Sequence, residues 1–144
     1  MTATPDEYRV QWTGSREGWP TFFVHMIAGM VLNHTRMRQH AGEDVKLAFA
    51  HGGAKGVDET IGAFAGGFGI DTSVWLPDWK AEPRRGGILR NEKMVDEFVP
   101  TLGVGLNWND SPGTRHCVSY MRAKGIPVLS IEYTGDPEGK CFPF

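Results

Sequence analysis

The stretch that decides the fold is residues 46–58, KLAFAHGGAKGVD, where a short apolar run meets a glycine-rich turn. Lys46–Ala50 has the length and composition of a buried strand. His51–Gly56 then interrupts it with three glycines. From Val57 to Phe64 an apolar residue recurs at the spacing of a helix face. This order of strand, loop and helix is the building unit of a parallel sheet.

The same alternation runs through the rest of the chain and predicts four more strands and three more helices. The helix that starts at Val57 is predicted to end in the glycines at 66, 67 and 69. Five strands that alternate with four helices indicate an α/β domain whose parallel sheet carries helices on both faces. The further strands are predicted at Tyr8–Thr13, Thr72–Leu76, Leu102–Leu106 and Pro127–Ile131, and the helices at Phe22–Leu32, Ile88–Val99 and Thr114–Lys124.

Length, charge and cysteine content narrow the class of protein. The chain has 144 residues, which fits one domain, with a predicted core at about 8–132 and an irregular tail at 133–144. The net charge of −2 gives no overall basic footprint of the kind that duplex DNA requires. Cys117 and Cys141 have neither metal-ligand spacing nor a disulfide framework, which is typical of a reducing compartment.

The longest apolar run, Phe22–Leu32, is too short to span a bilayer, which takes about 20 residues, and the polar start is unlike a secretory signal. We therefore expect a soluble cytoplasmic protein with no membrane partner. His51 and His116 lack a carboxylate at ligand spacing, so no metal and no cofactor is expected. The glycine patterns of dinucleotide dehydrogenases and P-loop enzymes are both absent.

Glycine is over-represented, at 19 of 144 residues, and many of its positions follow predicted strands. The carboxyl ends of parallel strands lie along one edge of a sheet, so these loops should converge. Glycine there lets backbone N–H groups approach a ligand, and helix N-termini favour an anion. The alternative is that each glycine makes a tight turn or caps a helix. The seven edge glycines are Gly14, Gly52, Gly53, Gly56, Gly86, Gly87 and Gly113.

Basic and polar side chains are predicted beside the same edge. Asp58 could cap the second helix or accept a ligand hydroxyl, and Ser15 and Thr114 could cap helices or donate to phosphate. An aromatic face at Trp19, Trp79 or Trp108 could stack on a base or pack in the core. The basic residues near this edge are seven of the chain's 15, namely Arg16, Lys55, Lys80, Arg84, Arg85, Arg90 and Arg115.

In order and spacing these motifs resemble the SLOG superfamily, the Rossmann-like proteins that include DNA-processing protein A and the LOG phosphoribohydrolases. The similarity is greatest to the YspA/cpYpsA-related subfamily, found in actinobacteria and their phages. It covers nearly the whole chain, from about Tyr8 to Ile131. The matching pieces are Thr13-Gly14-Ser15-Arg16 with Trp19, His51-Gly52-Gly53-Ala54-Lys55-Gly56-Val57-Asp58, Trp79, Gly86-Gly87-Ile88-Leu89-Arg90-Asn91-Glu92-Lys93-Met94 and Pro112-Gly113-Thr114.

The resemblance implies a Rossmann-like three-layer sandwich with a mainly parallel five-stranded sheet and a nucleotide-type ligand at the strand ends. LOG-like relatives use an arginine, which Arg90 matches, and a glutamate three residues after a threonine, where this chain has Cys117. The implied ligand-binding residues are Gly14, Ser15, Arg16, Trp19, Gly52, Gly53, Ala54, Lys55, Gly56, Asp58, Arg90, Asn91, Pro112, Gly113 and Thr114.

Two kinds of function remain beside simple binding by a sensor, carrier or sequestering protein. One is hydrolysis of a nucleotide N-glycosidic bond, with Arg90, Asp58 and Glu92 as candidate catalytic residues. The other is single-stranded DNA binding, by analogy with DNA-processing protein A.

Self-association is a further expectation. The Phe22–Leu32 helix is apolar on more than one side, and SLOG relatives pair through helices, so we expect a homodimer or higher homo-oligomer. Met26 and Met30 are predicted to lie in the core. The Cys141–Phe144 end could dock on a partner or on its own chain.

Overall fold

A computed structural model describes residues 6–135 of the chain. Within them five strands alternate strictly with four helices. The Cys141–Phe144 end lies outside the described residues. The strands are β1 (Asp6–Gly14), β2 (Val45–His51), β3 (Asp71–Val74), β4 (Leu102–Trp108) and β5 (Val128–Tyr133), and the helices are α1 (Thr21–His40), α2 (Val57–Phe68), α3 (Gly86–Phe98) and α4 (Pro112–Ala123).

The five strands form one sheet in the order β3-β2-β1-β4-β5, and every neighbouring pair is parallel. Right-handed crossovers then place α1 and α2 on one face of the sheet and α3 and α4 on the other. The helices of each pair pack against each other. This arrangement is a Rossmann-like three-layer sandwich, so the predicted fold class is confirmed.

The core lies against the three central strands, β2, β1 and β4, whose residues towards the carboxyl ends are buried. Trp12 of β1 and Phe49 of β2 are fully buried and meet edge to face, with their ring centroids 5.1 Å apart. Val104 and Leu106 of β4 are also fully buried. Four polar residues of these strands are buried as well, namely Gln11 and Thr13 of β1, His51 of β2 and Asn107 of β4.

Several predicted boundaries are wrong by one to three residues, and the first helix, predicted to end at Leu32, continues to His40. One boundary is wrong for an identifiable reason. Gly66 and Gly67 do not end α2 but lie inside it, and the helix ends at Gly69, whose φ of 66° is left-handed. The helix therefore stops at the glycine that adopts the conformation a C-cap needs. Tyr133, predicted to begin the irregular tail, completes β5.

The prediction that Met26 and Met30 lie in the core was also wrong. Their side chains are 49% and 62% exposed. The face of α1 that packs on the sheet consists of other residues, because Phe22–Leu32 has apolar residues on two sides and the spacing alone did not show which side is buried. The buried residues of α1 are Val24, Ile27, Ala28, Val31 and Thr35. Among residues 6–135, no helix is long and apolar enough to cross a bilayer.

Candidate functional site

A cleft of about 830 Å³ opens at the carboxyl ends of the strands. It lies where β1 and β4 are neighbours, the point at which the chain reverses its direction along the sheet. Open α/β sheets bind ligands at such a switch point. Ten of the fifteen ligand-binding residues that the resemblance implies line it, namely Gly14, Ser15, Arg16, Gly52, Ala54, Asp58, Arg90, Asn91, Gly113 and Thr114.

The other singled-out residues lie elsewhere. The side chain of Trp19 stacks on Phe23, with the ring centroids 5.1 Å apart, and packs against the core. Glu92 of α3 faces His116 of α4, with 3.3 Å between Oε1 and Nε2, instead of the cleft. Gly53 lines a smaller pocket of about 310 Å³ next to the cleft. Lys55, Gly56 and Pro112 are absent from the lining of both pockets.

Several lining residues were not assigned to a site from the sequence. Arg84 and Trp79 had been placed near this edge, but Glu17 and Asn109 had not been singled out at all. Asn109 directly follows β4, which runs to Trp108, two residues beyond the predicted boundary. Its position in the loop after a strand end was the signal that could have found it.

Most of the edge glycines serve packing within the protein. A Cβ on Gly14 would stand 2.4 Å from the Val57 side chain, so β1 and α2 approach too closely for any other residue. A Cβ on Gly52 would meet the Arg90 guanidinium at 2.4 Å, and one on Gly86 would meet Trp79 at 2.9 Å. Packing within the protein is therefore enough to explain why these three positions are glycine, without a ligand contact.

Gly113 differs from the other edge glycines. No described atom lies within 4 Å of where its Cβ would stand, and its φ is not in the left-handed region. It occupies the first turn of α4 and lines the cleft. Glycine in a helix costs about 1 kcal/mol relative to alanine. Packing within the described residues does not explain this cost.

Ser15 joins the two loops at the switch point. Its Oγ accepts a hydrogen bond from the Trp108 backbone N–H at 2.8 Å and donates to the Trp108 carbonyl at 3.3 Å. The side chain is buried. Ser15 thus fixes the end of β1 to the end of β4, and its hydroxyl is already used within the protein.

Asp58 lies at the start of α2, and only one of its two carboxylate oxygens accepts hydrogen bonds. Oδ2 accepts hydrogen bonds from the N–H groups of Gly52 at 3.0 Å and Ala54 at 3.3 Å. Oδ1 is buried and has no hydrogen-bond partner among the described residues. Burial raises the pKa of this carboxyl to about 6, although the two N–H groups and the guanidinium of Arg90 oppose the rise. The carboxyl is therefore a buried group with one unused acceptor beside the cleft.

Arg90 of α3 clamps two loops together. Its Nη1 donates to the carbonyls of Gly52 and Trp75, which follow β2 and β3. Its Nε donates to Asn91 Oδ1 at 2.8 Å. Burial lowers the pKa of this guanidinium from its usual value, while the nearby carboxyl of Asp58 opposes the shift, and arginine remains protonated in proteins. Arg90 thus contributes positive charge to the cleft while it holds the loops in place.

The start of α4 is built from short polar contacts. Asn107 Oδ1 accepts from the Ser111 N–H at 2.6 Å, and Thr114 Oγ1 donates to Ser111 Oγ at 3.3 Å. Asn109 and Asp110 both have left-handed φ angles, of 51° and 53°. Asparagine and aspartate tolerate this conformation better than other residues, and such backbone is frequent near functional sites.

Cys117 of α4, which the LOG resemblance sets against a glutamate, has no carboxylate beside it in the hydrogen bonds of the described residues. The residue is fully buried, and Gln11 Nε2 donates to its Sγ at 3.5 Å. Burial raises the pKa of the thiol to about 11, so it is protonated at neutral pH and is a poor nucleophile. In the part of the chain that the structure describes, no three histidine, cysteine or acidic side chains are grouped to hold a metal ion.

No protein-family model matches the chain, and no solved structure matches it significantly. The Gene 61 protein of Mycobacterium phage D29 does match, with 32% identity over 90 residues. The aligned region is 59% of this chain and 71% of the phage protein. On this similarity, the chain belongs to the family of the Gene 61 protein of Mycobacterium phage D29.

Proposed function

We propose that this protein binds a nucleotide or a nucleotide-derived phosphate in the cleft between β1 and β4. The observation that carries the proposal is the unpartnered Oδ1 of Asp58 beside a cleft that also contains the open first turn of α4. The unpartnered carboxylate oxygen can accept a hydrogen bond from a hydroxyl group, and the first turn of the helix favours an anion. A sugar phosphate supplies both groups in one small molecule.

The phosphate would lie against the first turn of α4. Gly113 leaves its backbone N–H accessible, and the helix dipole favours negative charge there. Three arginines line the same cleft, at Arg16, Arg84 and Arg90, against the two carboxylates of Glu17 and Asp58. The positive charges outnumber the negative ones in the cleft, although the whole chain has a net charge of −2.

The remaining groups of a nucleotide also have counterparts in the cleft. A ribose hydroxyl would donate to Asp58 Oδ1 and remove the cost of leaving that oxygen unpaired. The Trp79 ring is 46% exposed and packs on Gly86 and Gly87 at the start of α3. Its exposed part offers an apolar face on which a base can stack.

Binding without turnover is our first choice, in agreement with the SLOG resemblance. Arg90, which matches the LOG arginine, uses Nη1 and Nε on partners inside the protein. Cys117 stands where the LOG glutamate would be. A sensor, carrier or sequestering protein needs only the cleft, and these substitutions leave the cleft in place.

Hydrolysis of a nucleotide N-glycosidic bond is the second candidate, because a carboxyl with a pKa of about 6 can exchange a proton near neutral pH. In that reaction water replaces the base at the sugar carbon, and the products are the free base and ribose phosphate. Asp58 would be the group that moves the proton. Chromatography after long incubation with nucleoside monophosphates tests this candidate.

Calorimetry on the full chain tests the binding proposal. The probes are inorganic phosphate, ribose 5-phosphate, AMP and 2′,3′-dideoxy-AMP, with a short single-stranded oligonucleotide for the nucleic-acid alternative. We expect AMP to bind more tightly than its dideoxy analogue and Arg84→Gln to weaken both. Asp58→Asn should remove the difference between the two, because an amide N–H in place of Oδ1 cannot accept the hydroxyl proton.

Two matched substitutions outside the cleft serve as controls. Asp96→Asn changes an exposed carboxylate that pairs with Lys124, and Arg122→Gln changes an exposed arginine in the last turn of α4. Both should leave AMP binding unchanged. Absence of heat with every probe would refute the proposal, as would a difference between AMP and dideoxy-AMP that persists in Asp58→Asn.

A further inference from the structure

The cleft and the smaller pocket beside it meet at a neck. The two cavities have volumes of about 830 and 310 Å³ and share five lining residues. Two of the five carry a positive charge, one from the loop after β1 and one from α3. The neck is therefore a basic passage that a ligand can reach from either cavity. The residues of the neck are Arg16, Gly52, Ala54, Trp79 and Arg90.

Arg90 presents a fixed guanidinium at the neck with one nitrogen unused. Nη1 donates to the carbonyls of Gly52 and Trp75, and Nε donates to Asn91 Oδ1. Nη2 makes no hydrogen bond to any residue in the described range 6–135. Because the rest of the group is already held in place, Nη2 needs no ordering before it donates to a ligand. A planar guanidinium of this kind is well suited to phosphate oxygens.

Arg16 is the second arginine of the neck. A Cβ on Gly56 would stand 2.5 Å from the Arg16 carbonyl oxygen, so the backbone here lies directly against the start of α2. The side chain is exposed and makes no hydrogen bond or ion pair with a described residue. Burial lowers the pKa of Arg90, and the nearby charge of Arg16 lowers it further, although Asp58 opposes the shift. The two guanidinium groups therefore repel each other, and an anion between them would remove the repulsion.

Asp58 lies beside the neck because Gly52 joins it to Arg90. The Gly52 N–H donates to Asp58 Oδ2 at 3.0 Å, and the Gly52 carbonyl accepts from Arg90 Nη1. The unpartnered Oδ1 of the same carboxylate is the acceptor proposed above for a ribose hydroxyl. Ribose has two adjacent hydroxyls, at C2′ and C3′. When one of them donates to Asp58, the other is close enough to the neck to carry a phosphate into it.

The neck and the first turn of α4 are too far apart for the two phosphates of a diphosphate. The neck lies at the end of β2, α4 follows β4, and β1 runs between these two strands. Two strand spacings amount to about 10 Å. The phosphates of a diphosphate share one oxygen and cannot reach both places. A phosphate at C5′ and another at C2′ or C3′ stand on opposite sides of the sugar and can.

We propose that the neck is a second phosphate subsite and that the ligand is a nucleoside bisphosphate, with one phosphate at C5′ and the other at C2′ or C3′. This inference rests on the proposed function, because the C5′ phosphate at α4 and the hydroxyl at Asp58 orient the nucleotide. Arg90 Nη2 and the Arg16 guanidinium donate to the second phosphate. The small pocket beyond the neck leaves room for water around the oxygens that the arginines do not bind.

Calorimetry on the full chain with matched nucleotides tests the subsite. The probes are AMP, ADP, adenosine 2′,5′-bisphosphate and adenosine 3′,5′-bisphosphate. ADP has the same additional phosphate as the bisphosphates but carries it on the first phosphate. We expect one of the two bisphosphates to bind at least about tenfold more tightly than both AMP and ADP, because two arginines donate to its second phosphate.

Two arginine substitutions separate the subsite from the general charge of the cleft. Arg16 lines both cavities, whereas Arg84 lines only the large one. Arg16→Gln should remove most of the gain of the bisphosphate and change AMP binding much less. Arg84→Gln should weaken AMP and the bisphosphate by about the same factor. Circular dichroism checks that both variants are folded.

The outcomes distinguish this inference from the proposed function. Binding of AMP without a gain for either bisphosphate overturns the second subsite and leaves the proposed function standing. A gain that ADP shares, or one that survives in Arg16→Gln, also overturns the subsite. Absence of heat with every probe refutes the proposed function and the subsite together.

Discussion

Both α2 and α4 have a glycine near their start, Gly56 and Gly113, shortly after a strand. The surroundings of the two glycines are opposite. At Gly56 neighbouring backbone atoms leave no room for a side chain. A Cβ there would stand 2.5 Å from the Arg16 carbonyl oxygen, and the φ of 81° is left-handed. At Gly113 the chain is open, with no described atom within 4 Å of the Cβ position. A glycine after a strand therefore indicates either packing or access, and its surroundings decide which.

The largest effect on stability is expected from Gly56→Ala. The new Cβ would collide with backbone carbonyls of the β1–α1 loop, and the left-handed φ adds strain. We expect a loss of about 3 kcal/mol or more in the free energy of unfolding, measured by denaturant titration. If the loss is no larger than for the same change at an exposed glycine, the backbone around Gly56 has room for a Cβ.

The next largest effect is expected from Asp58→Asn in the ligand-free protein. The pKa of Asp58 is raised from 3.8 to about 6, so the folded state holds the proton more tightly than the unfolded state does. This contribution to stability is fully present below about pH 4 and is lost as the pH rises through about 6. At pH 7 the ionised carboxyl costs about 3 kcal/mol.

Asp58→Asn removes the ionisable group and keeps an oxygen that can accept from Gly52 and Ala54. We expect it to raise the free energy of unfolding at pH 7 by up to about 3 kcal/mol and to flatten its dependence on pH between 4 and 6. Thermal and denaturant unfolding at several pH values measure both. If the stability of the variant and of the wild type depends on pH in the same way, burial does not raise the pKa of Asp58 in the folded state.

Ser15→Ala tests the hydrogen bonds that join the end of β1 to the end of β4. The substitution removes both hydrogen bonds to the Trp108 backbone and leaves a buried N–H without its partner. We expect a loss of about 1–3 kcal/mol in the free energy of unfolding. Ser119→Ala, on the exposed surface of α4, is the control and should change it by no more than about 0.5 kcal/mol.

The smallest effect on stability is expected from Gly113→Ala, and it has the opposite sign to that of Gly56→Ala. Alanine fits the open space and favours the helix, so the free energy of unfolding should rise by about 0.5–1 kcal/mol. Binding of AMP should weaken, because the methyl group occupies the approach to the α4 backbone. A variant that is both more stable and unimpaired in binding would show that Gly113 does not serve the ligand.

The sequence was sufficient to predict the alternation of strands and helices and the edge at which the loops converge. Apolar strands and glycine breaks are local signals, and parallel strands bring their ends together wherever the exact boundaries lie. The sequence could not distinguish the closed glycines from the open one, because the atoms that surround Gly14 and Gly56 come from segments far along the chain.

One other error has the same origin. Periodicity indicates that α1 is apolar but not which of its two apolar sides meets the sheet, so the assignment of Met26 and Met30 to the core is wrong. For Trp19 the sequence leaves stacking on a base and packing in the core both open, and the ring packs on Phe23, four residues along the chain, and edge to face on the distant Trp108.

The clamp made by Arg90 has a consequence for the speed of binding. Because one guanidinium holds the carbonyls of Gly52 and Trp75, the loops after β2 and β3 cannot separate unless Arg90 releases one of the two carbonyls. A ligand thus meets a rim that is already assembled and need not order it on arrival. Association should then be governed by diffusion and by attraction to the arginines, and its rate should fall as salt is added.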